Sequence, residues 1–268
     1  MNFIQFPQKY RQWLVFQLVY WYINTIGISE RTTIDMELHI TPPEINENNR
    51  EYACRLLRSN IMTLQLPPGS SLNEDELSDQ LKMSRTPIHE AITILKGEWL
   101  VEVLPQRGTK VTLINPALMK EGYSARILLE SSVLNDSAGN LNNNQLQQLL
   151  LLLRKQEEAS RNTPDQIDAF IRLDDEMHRL MYFFGGRSHT WEATRGLVSH
   201  YDRARYLDAL SGNTIFEKVL MQHREFCDYM VMGIPHNVNA QQKVAEHLTS
   251  FRDNYISTIE KYPSYYSL

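Results

Sequence analysis

The chain has 268 residues, enough for two ordinary domains that each bury a separate hydrophobic core. Hydrophobic residues make up 42% and charged residues 22% of the sequence, a globular composition that excludes a largely disordered or membrane-embedded chain. The formal net charge of −5 means that any surface binding nucleic acid must be a local one.

The first 45 residues carry few structural signals. Residues 13–27 are aromatic and apolar, but Gln17 and Asn24 interrupt them, and a membrane-spanning helix needs about 18 consecutive apolar residues. A signal peptide would end in a small-residue cleavage site, and Ile-Asn-Thr-Ile-Gly at residues 23–27 is a poor one. We interpret residues 1–45 as an extension outside the domains, with an interfacial or packing helix as the alternative. Residues 41–49 are predicted to be a linker.

The next segment predicts a pair of helices. Asn73 can cap a helix whose first turn, residues 74–76, is acidic and therefore suits the positive end of the helix dipole. Leu77 and Leu81 give that helix an i, i+4 apolar stripe. Ser84 caps a second helix, which tolerates a proline in its first turn. The buried face of the second helix is predicted to comprise Ile88, Ala91, Ile92 and Leu95.

A short hairpin follows the second helix. Alternating apolar residues predict two strands, at residues 101–103 and 111–113, around a turn at residues 106–108. Two closely spaced helices with a trailing hairpin, or wing, are typical of a winged helix-turn-helix. In that fold the second helix enters the major groove of DNA.

The same segment carries a recognisable motif. It contains Pro68-Gly69, Ser84-Arg85-Thr86-Pro87, Leu100-Val101 and Arg107-Gly108-Thr109 at set distances, and it resembles the winged-helix domain of GntR-type bacterial transcription regulators. The chain departs from that pattern at three positions. His89 replaces a second arginine of the recognition helix, Trp99 replaces a glycine, and Asp75 stands where relatives often carry a basic residue.

The resemblance implies a set of DNA-contacting residues. We expect Arg85 to donate two hydrogen bonds to guanine, His89 to make weaker base contacts, and the wing to follow the backbone. Because acidic and basic residues nearly cancel here, the basic side chains must form a local face with the acids turned elsewhere. The predicted DNA-binding residues are Arg58, Ser84, Arg85, Thr86, His89, Arg107 and Gly108.

Beyond Asn115-Pro116 the pattern becomes helical, with Gly, Asn and Pro marking the breaks. The predicted helices span residues 117–139, 143–160, 164–184, 188–210, 214–232 and 237–261. They predict an antiparallel all-α bundle, in which ligand sites come from side chains on facing helices. The leucine run at residues 149–153 predicts a buried helix or a dimer face, although consecutive leucines cannot all point one way. The fold class is therefore mainly α, with a small β wing.

Four polar residues of this bundle form a candidate metal site. Asp174 and His178 lie four residues apart on one helical face, while His223 and His247 each lie within a later helix. One carboxylate and three imidazoles can bind zinc, nickel or ferrous iron. Spacing alone equally allows a surface pair or satisfied core polar groups.

The bundle also resembles the FCD effector domain of the FadR branch of GntR regulators, in which one Asp and three His hold a metal. The resemblance implies that Asp174, His178, His223 and His247 are the ligands, and zinc is the expected ion. It further implies that Arg126 faces the pocket and binds a carboxylate effector, since its fork suits that group. The alternative is a surface pair of Arg126 with Glu130. Tyr201, Arg203 and Arg205 lie on a helix that is either pocket-lining or solvated.

Other polar residues carry weaker signals. Cys54 and Cys227 are interpreted as buried free thiols of a reducing compartment. The histidines without a spacing partner are expected on the surface or in loops. They are His39, His189, His200 and His236.

Together these features predict four segments: an extension at 1–45, a winged helix at 46–115, an effector domain at 116–262 and a tail at 263–268. The expected function is a cytoplasmic, homodimeric regulator that binds operator DNA, does not associate with membranes, is not an enzyme and responds to a small carboxylate metabolite. Two alternatives stay open. One is a metal-dependent enzyme on the bundle with the winged helix as a docking module, and the other is a structural DNA-associated protein with an empty bundle.

Overall fold

A computed structural model of the chain describes residues 38–160, 164–249 and 255–267. The aromatic stretch at residues 13–27 lies outside these residues. The elements, in chain order, are α1 Asn49–Met62, β1 Ser71–Leu72, α2 Glu74–Leu81, α3 Arg85–Gly97, β2 Val101–Leu104, β3 Gly108–Val111, α4 Pro116–Ser137, α5 Asn143–Ala159, α6 Pro164–Phe184, α7 Ser188–Thr194, α8 Ser199–Leu210, α9 Phe216–Met232, α10 Ala240–Thr249, α11 Tyr255–Lys261 and a 3₁₀ turn at Pro263–Tyr265.

The first three helices and the sheet form the expected winged helix-turn-helix. The side chain of Asn73 accepts a hydrogen bond from the backbone N–H of Asp75, as its predicted capping role requires. Ser84 occupies the capping position of α3, but its side chain makes no capping hydrogen bond. Leu77, Leu81 and the predicted apolar face of α3 are buried. The hydrophobic pattern therefore predicted both helices and the faces that they bury.

The predicted hairpin is part of a three-stranded antiparallel sheet in the order β1–β3–β2. Val101 pairs with Val111 and Leu104 with Gly108, and the tight turn between the strands places Gln106 and Gly108 at positive φ. Strand β1 was not predicted, because two residues are too few to show alternation. Trp99 has a φ of 61°, a left-handed conformation that favours glycine, so the backbone of this bulky residue is strained. The residue is 60% exposed.

The helices of the second domain follow their predicted bounds closely, with one clear correction. Residues 188–210 do not form a single helix but two, α7 and α8, separated by a turn that contains Gly196. A side chain at Gly196 would lie 3.5 Å from Cα of Glu98, so the break lets the chain pass close to the winged helix. Local helix propensity cannot reveal such a tertiary contact. The predicted helix at 237–261 is described as α10 and α11 on either side of residues 250–254.

A close approach between α4 and α8 positions the polar interior of this domain. A Cβ on Gly122 would lie 2.9 Å from the carbonyl oxygen of Leu197, so only glycine fits there without a shift of the backbone. The two helices pack together along this contact. Arg126, one turn beyond Gly122 on α4, is thereby brought against Tyr201 and Asp202 of α8.

The winged helix and the helical domain meet at a buried polar junction. Arg203 is 0% exposed and donates hydrogen bonds to the carbonyl oxygen and hydroxyl of Thr112, at 2.7 and 3.0 Å. His200 Nδ1 accepts a bond from the backbone N–H of Asn115. Burial, and then the nearby Arg203, lowers the pKa of His200 to about 3, so the ring is neutral. The expected surface position of His200 was therefore wrong, because burial by another domain leaves no local sequence pattern.

Four further expectations concern the lone histidines, the cysteines, the leucine run and membrane helices. His39, His189 and His236 are exposed, as expected. Both cysteines are free and buried. In the leucine run, Leu149, Leu152 and Leu153 are buried while Leu150 and Leu151 are exposed. Among the helices that the structure describes, none is long and apolar enough to cross a membrane.

Candidate functional site

Four polar side chains meet at one buried point inside the helical domain. Asp174 and His178 come from α6, His223 from α9 and His247 from α10. One potential ligand atom from each lies within 4.8 Å of the others, and all four residues are buried. The i, i+4 spacing on α6 puts the first two on the same face, as the sequence indicated.

The three imidazole rings turn the same nitrogen toward this point. Nε2 of His178 lies 3.1 Å from Nε2 of His247, and Nε2 of His223 lies 3.3 Å from Oδ1 of Asp174. In this buried setting His223 Nε2 has no hydrogen-bond partner within the described residues. A buried polar atom without a partner is uncommon and calls for a ligand.

Three acceptor oxygens outside the cluster, here called the outer acceptors, face Nδ1 of the three histidines. His223 Nδ1 lies 2.9 Å from Oε1 of Gln156, and His247 Nδ1 lies 3.1 Å from Oε1 of Gln222. His178 Nδ1 is 3.0 Å from Oε2 of Glu130, close enough for an ion pair but without the alignment of a hydrogen bond. Because these oxygens only accept, the proton belongs on Nδ1, and each Nε2 turns a lone pair inward.

The environment keeps the rings of His223 and His247 neutral. Burial lowers the pKa of His223 to about 4. Burial, together with the neighbouring His223 and His178, holds the pKa of His247 well below its usual range. Two inward lone pairs 3.1 Å apart repel each other unless a positive centre lies between them. One carboxylate and three imidazoles form a donor set that fits a borderline divalent ion.

Sequence reasoning did not identify the outer acceptors. Glu130 was considered only as a surface partner of Arg126, and neither Gln156 nor Gln222 was among the predicted site residues. A signal for Gln156 exists, because it follows Leu152 and Leu153 at helical spacing on the buried face of α5. An amide at such a position needs a polar partner.

Arg126 is neither a surface residue nor fully satisfied. Its Nε lies 2.6 Å from Glu130 Oε1, but both residues are buried, so the expected surface pair is an interior one. Its Nη1 and Nη2 have no hydrogen-bond partner in the described part of the chain, and Asp202 is 3.6 Å from Nη1. Burial opposes the charge of Glu130, but Arg126 and then His178 lower the Glu130 pKa to about 2.

Arg205 links the histidine cluster to the winged helix. Its Nη1 bonds Asp174, and its Nη2 lies 2.5 Å from Oδ1 of Asp175. Arg205 lines a cavity of about 40 Å³ together with Asp174, Tyr201 and His247. It also lines a second cavity, of about 120 Å³, whose walls include Ser59, Met62 and Thr63 at the end of α1. Tyr201 and Arg205 therefore do line a pocket, whereas Arg203 lies at the domain junction.

The neighbouring acids do not form a catalytic group. Asp175 is held by Arg205 and lies 3.4 Å from Arg195. Burial raises the pKa of Asp175, but these two arginines outweigh it and hold the pKa far below the usual range. Glu176 pairs with Arg179 on the surface. Neither is placed to act as a general base beside the histidines.

Most of the predicted DNA contacts are exposed on the winged helix. Ser84, Arg85, Thr86 and His89 are exposed at the start of α3, and Arg107 and Gly108 are exposed at the tip of the wing. Arg58 is placed apart from them. It lies 2.5 Å from Glu98, just beyond the other end of α3, and so contributes to holding α1 against α3.

The expectation that acidic residues turn away from the basic face was wrong. Arg85 forms an ion pair with Asp75, and His89 Nδ1 lies 3.0 Å from Glu74 Oε1. Elsewhere in the domain Arg55 lies 2.7 Å from Glu47. The reason is that acids placed at the start of α2 to suit its dipole also face the start of α3 in the folded domain.

Comparisons with known proteins agree on the class of this chain. Residues 50–111 match the model of bacterial regulatory proteins of the gntR family, and residues 121–250 match the FCD domain. An HTH-type transcriptional regulator from an unstable DNA locus of Streptomyces ambofaciens is 31% identical over 69% of this chain and 76% of its own length. The HTH-type transcriptional repressor RspR of Escherichia coli K12 is 31% identical over 65% of this chain and 74% of its own length.

Solved structures share the fold. Escherichia coli McbR/YncC has a TM-score of 0.63 at 18% identity and covers 80% of this chain and 99% of its own. A putative GntR regulator from Rhodococcus sp. RHA1 has a TM-score of 0.60 at 20% identity, over 80% of this chain and 98% of its own.

A winged helix-turn-helix followed by a helical domain with a buried polar cluster defines a transcription regulator rather than an enzyme. The chain belongs to the GntR family of bacterial regulatory proteins, and its helical part is an FCD effector-binding domain. The predicted fold class, regulatory function and family are thus confirmed. The metal-dependent enzyme is set aside. Both matched ranges fall inside the predicted domains, whose boundaries stay predictions.

The geometry of the cluster predicts the tautomers of its histidines. At pH 7, His223 and His247 should carry their proton on Nδ1, because amide oxygens accept there. Long-range ¹H–¹⁵N NMR of histidine-labelled protein reads this directly, with exposed His236 as the internal reference. Protonated Nε2 on either ring would contradict the described cluster.

Proposed function

We propose that this regulator binds operator DNA as a homodimer and that a divalent ion and a small carboxylate effector control its DNA affinity. The observation that carries the proposal is the convergence of three imidazole nitrogens and one carboxylate on a single buried point. We propose zinc as the ion, with nickel and iron satisfying the same donors. Asp174, His178, His223 and His247 would hold it.

When bound, the ion supplies open coordination positions that a carboxylate oxygen can fill. The chain adds the recognition group, because Arg126 is a buried cation whose two Nη atoms make no hydrogen bond to any residue that the structure describes. Arg205 lines the cavity but already binds two aspartates. Arg126 is not among the residues that line this cavity, but its guanidinium lies 5.3 Å from the ring of Tyr201, which does line it. We therefore propose Arg126 as the group that would bind a new carboxylate. The cavity of about 40 Å³ has room for on the order of three waters, which suits a small ligand.

Arg205 offers a physical route from this pocket to the winged helix. It contacts the proposed ligand Asp174 on one side and a cavity bounded by α1 on the other. Any shift of Asp174 when the site fills would act on Arg205 and then on Asp175. We infer that occupancy changes the pose of the winged helix through these contacts, and hence its DNA affinity.

On DNA, the start of α3 would enter the major groove. Arg85 would donate to guanine, and Ser84, whose hydroxyl is not used in capping, would join Thr86 on phosphate. His89 would approach base edges, while Arg107 and Gly108 would follow the backbone. Arg58 is better explained by its bonds to Glu98. A homodimer suits two-fold operators, and a cytoplasmic location suits both DNA binding and two reduced cysteines.

Metal content tests the sensor half of the proposal. Purified protein dialysed against zinc should hold one ion per chain, and chelation should lower the melting temperature. Removing a ligand present at about a hundred times its Kd costs about 2.7 kcal/mol, or roughly 5–10 °C in a chain of this size. His223→Ala should abolish both effects, whereas exposed His236→Ala should keep them. Wild-type protein that binds no stoichiometric ion and melts unchanged after chelation contradicts the sensor.

Arg85→Ala tests the DNA-reading half. On an operator selected from a random duplex library, affinity at fixed salt should fall by about 1–3 kcal/mol, because the guanine contact is lost. Arg224→Ala, at an exposed surface pair with Glu157 in the effector domain, is the charge-matched control and should bind normally. Unchanged operator affinity in fluorescence anisotropy would remove Arg85 from base readout.

A further inference from the structure

The recognition surface of this chain is built from opposite charges. The first turn of α2 carries Glu74, Asp75 and Glu76, and two of these acids reach the two base-reading candidates of α3. Asp75 pairs with Arg85, and Glu74 lies 3.0 Å from His89 Nδ1. In the absence of DNA, both base-reading candidates therefore contact acidic side chains of α2.

These pairs lie on open surface. The side chains of Arg85 and His89 are 68% and 69% exposed, and that of Asp75 is 56% exposed. Exposed ion pairs add little to folding stability, so this arrangement is a weak means of stabilising the domain. Because Arg85 and Asp75 are both exposed, neither side chain is shielded by the protein from a base pair in the groove.

The charge balance of the domain means that these acids can affect its affinity for DNA. Residues 50–110 contain eight acidic and eight basic side chains, so this domain has little net attraction for DNA. Four of the eight acids, at positions 74, 75, 76 and 79, lie on α2. Non-specific affinity comes from contacts to phosphate, and a carboxylate beside the reading arginine opposes those contacts.

We propose that Asp75 is a specificity-determining residue that, together with Arg85, reads a G·C base pair. Arg85 donates to O6 and N7 of guanine, while the Asp75 carboxylate accepts a hydrogen bond from the N4 amino group of the paired cytosine. On other sequences no cytosine amino group faces the carboxylate of Asp75. Its repulsion by the DNA phosphates is then not offset by a hydrogen bond. Glu74 positions His89 in the same surface. This inference rests on the proposed role of Arg85 in base readout.

The test compares two charge-neutralising changes on the same helix. Asp75→Asn removes the paired carboxylate, whereas Asp79→Asn removes an acid one turn later that makes no ion pair among the described residues. Both side chains lie at the surface, and equal melting temperatures check that folding is unaffected. Dissociation constants are measured on the selected operator and on a random-sequence duplex, at two salt concentrations.

We expect Asp75→Asn to tighten binding to the random duplex by about fivefold or more, as expected for removing one negative charge at the DNA surface. Operator binding should change by less than about twofold, because the lost cytosine contact offsets the lost repulsion. The ratio of operator affinity to random-duplex affinity therefore falls. Reselection of operators with Asp75→Asn should relax the preference at one G·C pair.

Two results would overturn the proposal. One is a ratio of operator to random-duplex affinity for Asp75→Asn that stays within twofold of the wild-type ratio. The other is an equal fall in this ratio for Asp79→Asn, which would indicate a general charge effect. Arg85→Ala separates the two hypotheses. If it leaves operator affinity intact, base readout by Arg85 fails, whereas the random-duplex affinity of Asp75→Asn still reports whether the acid opposes non-specific binding.

Discussion

Three imidazole nitrogens that point at each other from three helices are the constraint on which the interior of the effector domain depends. Neutral rings with inward lone pairs are costly to bury together unless a positive centre joins them. Two of the three outer acceptors come from further helices, since Glu130 lies on α4 and Gln156 on α5. The cluster and its acceptors thus tie together α4, α5, α6, α9 and α10, so that a bound ion would act on the whole domain rather than on one loop.

The charges around the cluster explain why an anion is the expected ligand. Four carboxylates, on Glu130, Asp174, Asp175 and Asp202, face three guanidinium groups, on Arg126, Arg195 and Arg205. With neutral histidines this set carries one net negative charge, and a divalent ion would change it to one net positive charge. The proposed carboxylate effector would then enter a site that attracts it only when the ion is present. Under this proposal, effector binding would depend on the metal because of the charge balance.

The sequence was most informative where a local pattern determines structure. Asn73 as a helix cap, the Leu77/Leu81 stripe and the i, i+4 pair of Asp174 and His178 all depend on neighbours along one helix, and each lies where it was predicted. Convergence of His223 and His247 on that pair came from resemblance to a family, because no local rule fixes which helices face each other.

What the sequence could not predict depends on contacts between distant segments. His200 is buried by residues 85 positions earlier in the chain, and the helix at 188–210 breaks where it passes the winged helix. Asp75 and Arg85 were assigned to separate helices on correct grounds, yet only the fold brings their charges together. Gln156 is similar, since the amide gains its role from a histidine 67 residues away.

X-ray absorption spectroscopy of the metal-loaded protein tests the central claim most directly. We predict that three imidazole nitrogens and at least one oxygen coordinate the ion, at about 2.0–2.2 Å for zinc, with the multiple-scattering pattern of histidine rings. A shell with fewer than three imidazoles, or with sulfur from Cys54 or Cys227, would contradict it.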